Sequence, residues 1–570
     1  MSDEWVYCLG IKAFGWCHYN PLQPGIAYFS IGEAIASIAL LFAFFQLATP
    51  TSRFRLAVRP TMKWVALGLF VLAFFCVVGA AMIPSVLGYV IPVVGFPIFW
   101  EVLAGLLVVS GVSLLGFIYA RPASFTKRSF KPYFYACSRT ISSGDEHELR
   151  LLAAEVSHAA YAIVDAAKRF DREMGQANHA ADRERIAKSI SGYAAPLLDL
   201  FSDERFARAM VEAAPMGAAR FLEFLGQGPT DNQVGYSFVE QVVRQALLSE
   251  NSMLHKEEEL YGLGHFKWFT RTVFGNYRLV SSAYRPLNAW DGVGDEYTTP
   301  NVIEKYGRAL KMAVGAYFET GPHYGSPVAL LSAITNFAMV AMAKAISLKN
   351  LSTNEVHGSQ AYAVLRKISF VLYDIVIAVI EHDNQLPEYS LNASAYKPLH
   401  DPSIYGAVAY GIYEFLEKLA RAEGHDNEVR WIALTLWMTV DPISKEQPSR
   451  AILEIQKRLF LHLQKKVSQN LDVGGYPMLT KLLILLIGLH DTSGQDQQSL
   501  GFMTVELHTQ LREKFAAAYA ANKETAEDML PAEVHFDVDT NELVYVRAFS
   551  KGETRETRFK VNPLPAQPSA

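Results

Sequence analysis

Cysteine runs out early. Cys8, Cys17, Cys76 and Cys137 all lie in the first quarter of the chain, and the 433 residues after Cys137 contain none. No disulfide framework, thiolate metal site or cysteine nucleophile can therefore exist over that length. Four local signatures are also missing: GxxxxGK[ST], GxGxxG after a strand, HExxH and GxSxG. Their absence removes the sequence grounds for P-loop nucleotide hydrolysis, zincin chemistry and the α/β-hydrolase elbow. A net basic charge is confined to the N-terminal region. Residues 1–139 hold ten Lys/Arg and four Asp/Glu, a formal +6, and the remaining 42 Lys/Arg and 53 Asp/Glu leave −11 on residues 140–570. An acidic surface does not neutralise phosphates, so nucleic acid is not an expected partner.

What the chain does have is apolar length, with 51% hydrophobic residues over 570. Trp64–Ile83 carries no charge, Ile98–Ala120 carries only Glu101, and Gly25–Leu47 carries only Glu33. Each run is long enough to cross a hydrocarbon core of about 30 Å. A helix satisfies its own backbone there, so three transmembrane helices are expected within 25–120. The link 84–97 holds Pro84, Pro92 and Pro97 and reads as a short external loop that dips toward the bilayer. Arg53, Arg55, Arg59 and Lys63 follow the first run, and Arg121, Lys127, Arg128, Lys131 and Arg139 follow the third. The positive-inside rule puts both basic stretches in the cytoplasm. Residues 1–24 are then external, where Cys8 and Cys17 have the redox setting to pair. The expected localisation is the inner (plasma) membrane, multi-pass, with the C-terminal part cytoplasmic. No basic n-region precedes a short apolar core, so a cleaved signal peptide is not expected. Glu33 and Glu101 are carboxylates at membrane depth, which are candidates for a proton or cation contact.

Residues 121–143 read as a basic juxtamembrane linker and 144–530 as a helical cytoplasmic domain. Leu149, Leu152, Val156, Ala159, Ile163, Ala166 and Phe170 keep a/d spacing over about three heptads. That predicts one helix, either of an intramolecular bundle or of a self-association seam that would make the protein a homo-oligomer. Asp203 is a predicted N-cap of a helix stopping near Gly226 and Gly228. Further helices are predicted over 301–319, 326–349, 353–381, 402–423, 427–439, 446–469, 475–489 and 497–523. The helix at 326–349 is apolar almost all round, but Asn336 and Lys344 interrupt it, so a buried core helix is expected rather than a fourth span. Residues 531–561 alternate as three antiparallel strands, a β-meander that needs a helix or partner over its apolar face. The tail 562–570 reads as disordered. The fold class is thus a membrane-anchored all-α protein with a small C-terminal β-meander.

Two constellations invite chemistry. In the first, NSMLHKEEELYGLGHFKWFTRTVFGNYRLV (Asn251–Val280), a histidine and glutamates precede alternating aromatic and basic residues. The stretch 250–300 shows neither helical nor strand periodicity, and an irregular segment of that length tends to be functional. His255, Glu259 and His265 are candidate metal ligands. Trp268, Arg271, Arg278 and Arg285 are candidates for an anionic ligand or for the lipid surface. Packing alone is the competing reading. In the second, the doublet His–Asp occurs four times: His382–Asp383, His400–Asp401, His425–Asp426 and His490–Asp491. A helical domain with such a doublet resembles the HD phosphohydrolases, in which the resemblance implies a metal that activates water, here on His382 and Asp383. That family also uses a separate upstream histidine and a downstream aspartate, which this sequence does not place. Each doublet falls at a predicted helix end, where histidine and aspartate also serve as punctuation.

The expected function is an integral membrane protein whose cytoplasmic helical domain is a sensor, binding or scaffold module, with the bilayer and a protein partner as its contacts. A stress or defence system would suit that layout. An oligomeric pore using Glu33 and Glu101 is one alternative, and a membrane-tethered metal-dependent hydrolase using the His–Asp doublets is another. The balance leans away from an enzyme, and no cofactor is indicated.

Overall fold

Pro50, Pro60 and Pro97 each stand at a helix start, where a missing N–H costs nothing. In the computed structural model α1 (Ile31–Gln46) is followed by α2 (Pro50–Val58), α3 (Pro60–Leu87) and α4 (Pro97–Ala120). The structure describes residues 31–46, 48–87, 97–227, 234–259, 268–282, 285–290, 297–320, 327–349, 351–383, 401, 403–422, 425–442, 448–473, 478–487, 501–548 and 554–561. Cys8, Cys17 and the loop 88–96 lie outside them. The basic stretch 50–58, expected as a loop, is itself a helix, with Thr49 as its N-cap.

Helices α1, α3 and α4 pack in two layers. One joins Leu41, Leu56, Ala66, Phe70, Leu115 and Ile118, and the other joins Ala34, Ala73, Cys76, Val77 and Ala104. Their remaining surface is also apolar: Phe75, Leu106 and Val109 are each at least 60% exposed. A continuous exposed apolar belt of this kind is compatible with lipid contact. Among the described residues three segments are long and apolar enough to cross a membrane: Pro60–Gly79, Phe99–Ala120 and Val328–Leu348. The first run expected to span, Gly25–Leu47, is described as a helix only over Ile31–Gln46.

The chain divides into two units, residues 1–224 and 225–570. In the first, the stretch expected as a linker forms α5 (Phe130–Ser143). The predicted heptad helix breaks into α6 (Glu146–Ser157) and α7 (Ala160–Gln176), and α8 (Ala180–Ala187), α9 (Ile190–Leu200), α10 (Glu204–Ala213) and α11 (Pro215–Gly226) follow. The break at His158–Ala159 lets the two halves choose different partners: α6 packs on α10 and α7 on α9. Leu149, Leu152, Val156, Ala159, Ile163 and Ala166 are thereby buried within the chain. Asp203 caps α10 by accepting the Phe206 N–H at 3.1 Å, as predicted. Pro215 divides the helix expected to continue from there, since it cannot donate to the preceding turn.

The second unit opens with α12 (Tyr236–Leu248), α13 (Met253–Glu259), α14 (Trp268–Phe274), α15 (Tyr277–Ser281) and a 3₁₀ turn at Pro286–Trp290. Its long helices are α16 (Pro300–Thr320), α17 (Val328–Leu348), α19 (Gln360–His382) after the single turn α18 (Thr353–Val356), α20 (Ile404–Leu419), α21 (Asp426–Val440) and α22 (Arg450–Val473). It closes with α23 (Met478–Ile487), α24 (Phe502–Ala521) and α25 (Lys523–Asp528). Helix α17 is the third apolar segment, yet half of it is buried against about a quarter of the other two, because α19 and α20 pack on it. Glycines permit that closeness. A Cβ on Gly411 would overlap Ile334 of α17, and one on Gly307 would overlap Val371 of α19.

Strands β1 (Val534–Asp537), β2 (Glu542–Ala548) and β3 (Thr554–Lys560) form the antiparallel meander in the order β1-β2-β3. Asn541 turns between β1 and β2 with φ 55°, a conformation asparagine tolerates. Helix α24 covers the apolar face: Phe536 meets Phe515 at 5.3 Å and Tyr519 at 4.7 Å, and Phe559 meets His508 at 5.4 Å.

Overpacking the α17–α20 contact should be costly. Gly411→Val is expected to destabilise the second unit by about 1–3 kcal/mol, read as a lower thermal midpoint of the purified protein. An unchanged midpoint would mean that these helices do not approach so closely.

Candidate functional site

The most strongly determined polar centre of the first unit lies where α2, α4 and α6 converge. Helix α2 is too short to stand alone and is held from several sides, which is why Ser52, Phe54, Leu56 and Val58 are all buried. Phe54 packs edge-on against Tyr133 of α5 at 5.4 Å, and Phe125 does the same from the other side at 5.5 Å. Tyr133 is fully enclosed, and burial pushes its phenol well above the usual range.

Arg55 on α2 and Arg59 at its C-cap, four residues on, reach the C-terminus of α4. The last carbonyls of a helix have no partner within it and carry negative partial charge. Arg59 donates to the carbonyls of Ile118 and Arg121 at 3.2 Å and of Pro122 at 2.7 Å. Arg55 donates to the Tyr119 carbonyl with one arm. With the other two nitrogens it grips Glu155 of α6, Nε to Oε1 at 2.8 Å and Nη2 to Oε2 at 2.7 Å. Glu155 also accepts the Ala123 N–H at 2.6 Å, just beyond α4. Its side chain is 3% exposed. A buried carboxylate is tolerable only when paired and hydrogen-bonded in this fashion. The result is a three-way joint between the segment joining two apolar helices, the end of the third and the bundle that follows. Sequence reading registered Arg55 and Arg59 as topogenic charge and passed over Glu155, although a lone glutamate in the apolar run LLAAEVSHAA was a visible signal.

The segment 250–300 is organised otherwise than expected. Glu257 is buried and accepts the N–H groups of Phe269 and Thr270 and the Thr270 hydroxyl, so it caps the start of α14. His255 is buried with Nε2 2.8 Å from the Leu247 carbonyl. Phe269, Phe274 and Tyr277 enter the core, Tyr277 meeting Tyr317 edge-on at 5.1 Å. Trp268 and Arg278 are half-buried, while Arg271 and Arg285 are exposed, the latter at φ 38°. The described candidates thus face different ways. His265 and the Glu259 side chain lie outside the described residues.

Of the His–Asp doublets, His382–Asp383 stands at the end of α19 and His425–Asp426 at the start of α21. His382 closes α19, bonds the Ala378 carbonyl through Nδ1 at 2.8 Å and stacks on Phe318 at 5.4 Å. Asp383 accepts the Tyr405 hydroxyl. Asp401 accepts the Ser403 N–H at 2.8 Å and the Arg458 Nε at 2.6 Å. Arg458 also pairs with Glu454, and its guanidinium lies 5.6 Å from the Tyr405 ring. Two of the doublet aspartates therefore converge on one buried network between α20 and α22, with an arginine as the cation. Among the described residues no group of three or more His, Cys, Asp or Glu is placed to hold a metal ion. His400 and His490–Asp491 are outside the described residues. One helix turn beyond Arg458, His462 stacks on Tyr413 at 5.2 Å, and burial pushes its imidazole down to about 4.

Glu33 lies exposed in the first turn of α1, and Glu101 is half-buried near the start of α4. Ala34 and Ala104 share one packing layer, so the two carboxylates occupy the same end of the apolar bundle. Compared with protein families, curated proteins and solved structures, the chain matches none. What the fold defines is a mostly helical protein whose apolar helices are compatible with a membrane.

Arg55→Ala should destabilise the first unit by about 3–5 kcal/mol because it strands a buried carboxylate. Arg55→Lys should not restore it, since an ammonium cannot make the two parallel bonds. The pair Arg55→Met with Glu155→Leu should recover most of the loss, and thermal unfolding of the four proteins measures this. In the second unit, a His462 that stays neutral when folded makes stability fall as pH drops from 6.5 towards 4, where the unfolded chain takes up the proton. The loss should reach about 2–3 kcal/mol, and His462→Phe should abolish that part of the pH dependence.

Proposed function

We propose that the chain is an integral membrane protein of the inner (plasma) membrane, with α1, α3 and α4 as spans and the helical remainder on the cytoplasmic side as a sensor, binding or scaffold module. The observation that carries this reading is the Arg55–Glu155 joint. A merely tethered domain needs no rigid connection, yet here the ends of the apolar helices and the start of the bundle share one buried ion pair. A movement of α4 along its axis would have to pull the carbonyls of Ile118 and Tyr119 from two arginines and so would be felt by α6. Such a joint suits signalling between bilayer and bundle, as in a stress or defence component with a protein partner. The basic residues at that level agree with a cytoplasmic assignment.

A second reading is favoured by the shared level of Glu33 and Glu101. A carboxylate exposed on an apolar helix is costly in lipid unless another subunit covers it. In a homo-oligomer the two would line an ion pathway.

Fractionation and electrophysiology separate these readings. The protein is expected to stay with membranes through an alkaline wash, and an impermeant thiol reagent is expected to reach Arg139→Cys only from the cytoplasmic face. Release by the wash would overturn the membrane assignment. Planar bilayers holding the protein should show no conductance under the sensor reading. A conductance lost in Glu33→Gln would establish the pore instead.

A further inference from the structure

The three-way joint has a cavity beside it. It has a volume of about 260 Å³ and is walled by α2, α5 and α6. That is short of the roughly 300–1,000 Å³ of a drug-sized pocket, and it is ample for a phosphate headgroup. Arg53 comes from α2 and Arg139 from α5, and three hydroxyls, Thr51, Thr140 and Ser143, complete the polar wall. Two carboxylates also line it. Glu155 is already neutralised by Arg55, which leaves Glu148 as the acidic group against two arginines.

Arg53 and Arg139 differ from Arg55 and Arg59 in one respect. Both are exposed, and among the described residues neither makes an ion pair or a side-chain hydrogen bond. Two guanidinium groups on one small cavity repel each other unless an anion lies between them. Their planar forks match phosphate oxygens, and Thr51 adds a hydroxyl donor, whereas the Thr140 and Ser143 hydroxyls donate to the carbonyls of Ala136 at 3.0 Å and Arg139 at 2.7 Å.

Position narrows the source of the anion. The cavity edge at Pro50 is four residues past the end of α1, and α2 ends two residues before α3 begins. The cavity therefore lies at the level where the apolar helices stop. Trp64 marks the same level: it is 65% exposed, with the Lys63 ammonium 6.0 Å from its ring. Exposed tryptophan beside a basic residue is the pattern of a lipid–water boundary.

We propose that this cavity binds the phosphate of an anionic phospholipid headgroup, held between Arg53 and Arg139 with the Thr51 hydroxyl as a further donor. The proposal rests on the membrane reading above and supplies its ligand. Because α5 and α6 form two of the walls and Glu155 lines the cavity, occupancy would bear directly on the joint.

The test uses the full chain in nanodiscs of phosphatidylcholine alone and of phosphatidylcholine with phosphatidylglycerol. Hydrogen exchange over residues 136–152 and native mass spectrometry of retained lipid are the readouts. Phosphatidylglycerol should slow exchange there and remain bound on release from the disc. Arg53→Gln and Arg139→Gln should each weaken retention roughly fivefold, as expected for one basic residue at a charged surface. Both side chains are exposed, so the variants are expected to keep the wild-type unfolding midpoint. Equal exchange in both discs, or retention unchanged in both variants, would overturn the site while leaving the membrane reading intact. Equal protection by inorganic phosphate in phosphatidylcholine discs would also overturn it, in favour of a soluble anion. Release of the chain by alkaline wash would remove the membrane reading itself.

Discussion

One buried ion pair organises the first unit. Arg55 and Glu155 are a hundred positions apart, and each would be a liability without the other, since an unpaired charge in that setting costs several kcal/mol. Together with Arg59 they also solve a second problem. Helix α4 ends with carbonyls that have no partner within the helix, and α2 with its C-cap delivers two guanidinium groups to them. A nine-residue helix has little stability alone, so its presence depends on this demand.

The second unit handles buried charge by a similar rule with different parts. Arg458 sits between Asp401 and Glu454, and Asp383 is held by the Tyr405 hydroxyl, so α19, α20 and α22 share one network in an otherwise apolar core. Glu257 and Asp441 show the same economy at helix starts. Each is a buried carboxylate that accepts backbone N–H groups, Glu257 those of α14 and Asp441 those of Met503 and Thr504 in α24. Burial raises the Asp441 carboxyl, and these donors pull it back. Polar residues that look like chemistry in the sequence are here used to end, start and join helices.

Legibility followed locality. Long helices such as α16, α17, α20 and α24 were readable because periodicity and apolar length are properties of neighbouring residues. The three strands were readable for the same reason. The joint was not, because pairing Arg55 with Glu155 needs tertiary proximity that no spacing encodes. The heptad seam of 149–170 was correct in the burial of its residues from Leu149 to Ala166, while Phe170 is half-buried, and it was wrong in continuity, since α9 and α10 draw its two halves apart. Asn251–Val280 looked irregular because its helices are only five to seven residues long, below what periodicity can register.

By itself the sequence determined that the chain is mostly helical, where its apolar runs lie, that its charge is asymmetric and that its last strands form a meander. Those properties come from composition and from residues a few positions apart. Only the tertiary structure decided which charges are paired, that Glu155 belongs with Arg55, that α2 is a helix and that α24 covers the sheet. It also decided that Arg53 and Arg139 share one cavity, with Glu148 as the acidic group against the two of them. Burial and pairing between distant residues are set by how helices pack, and packing is a property of the whole unit rather than of any stretch within it.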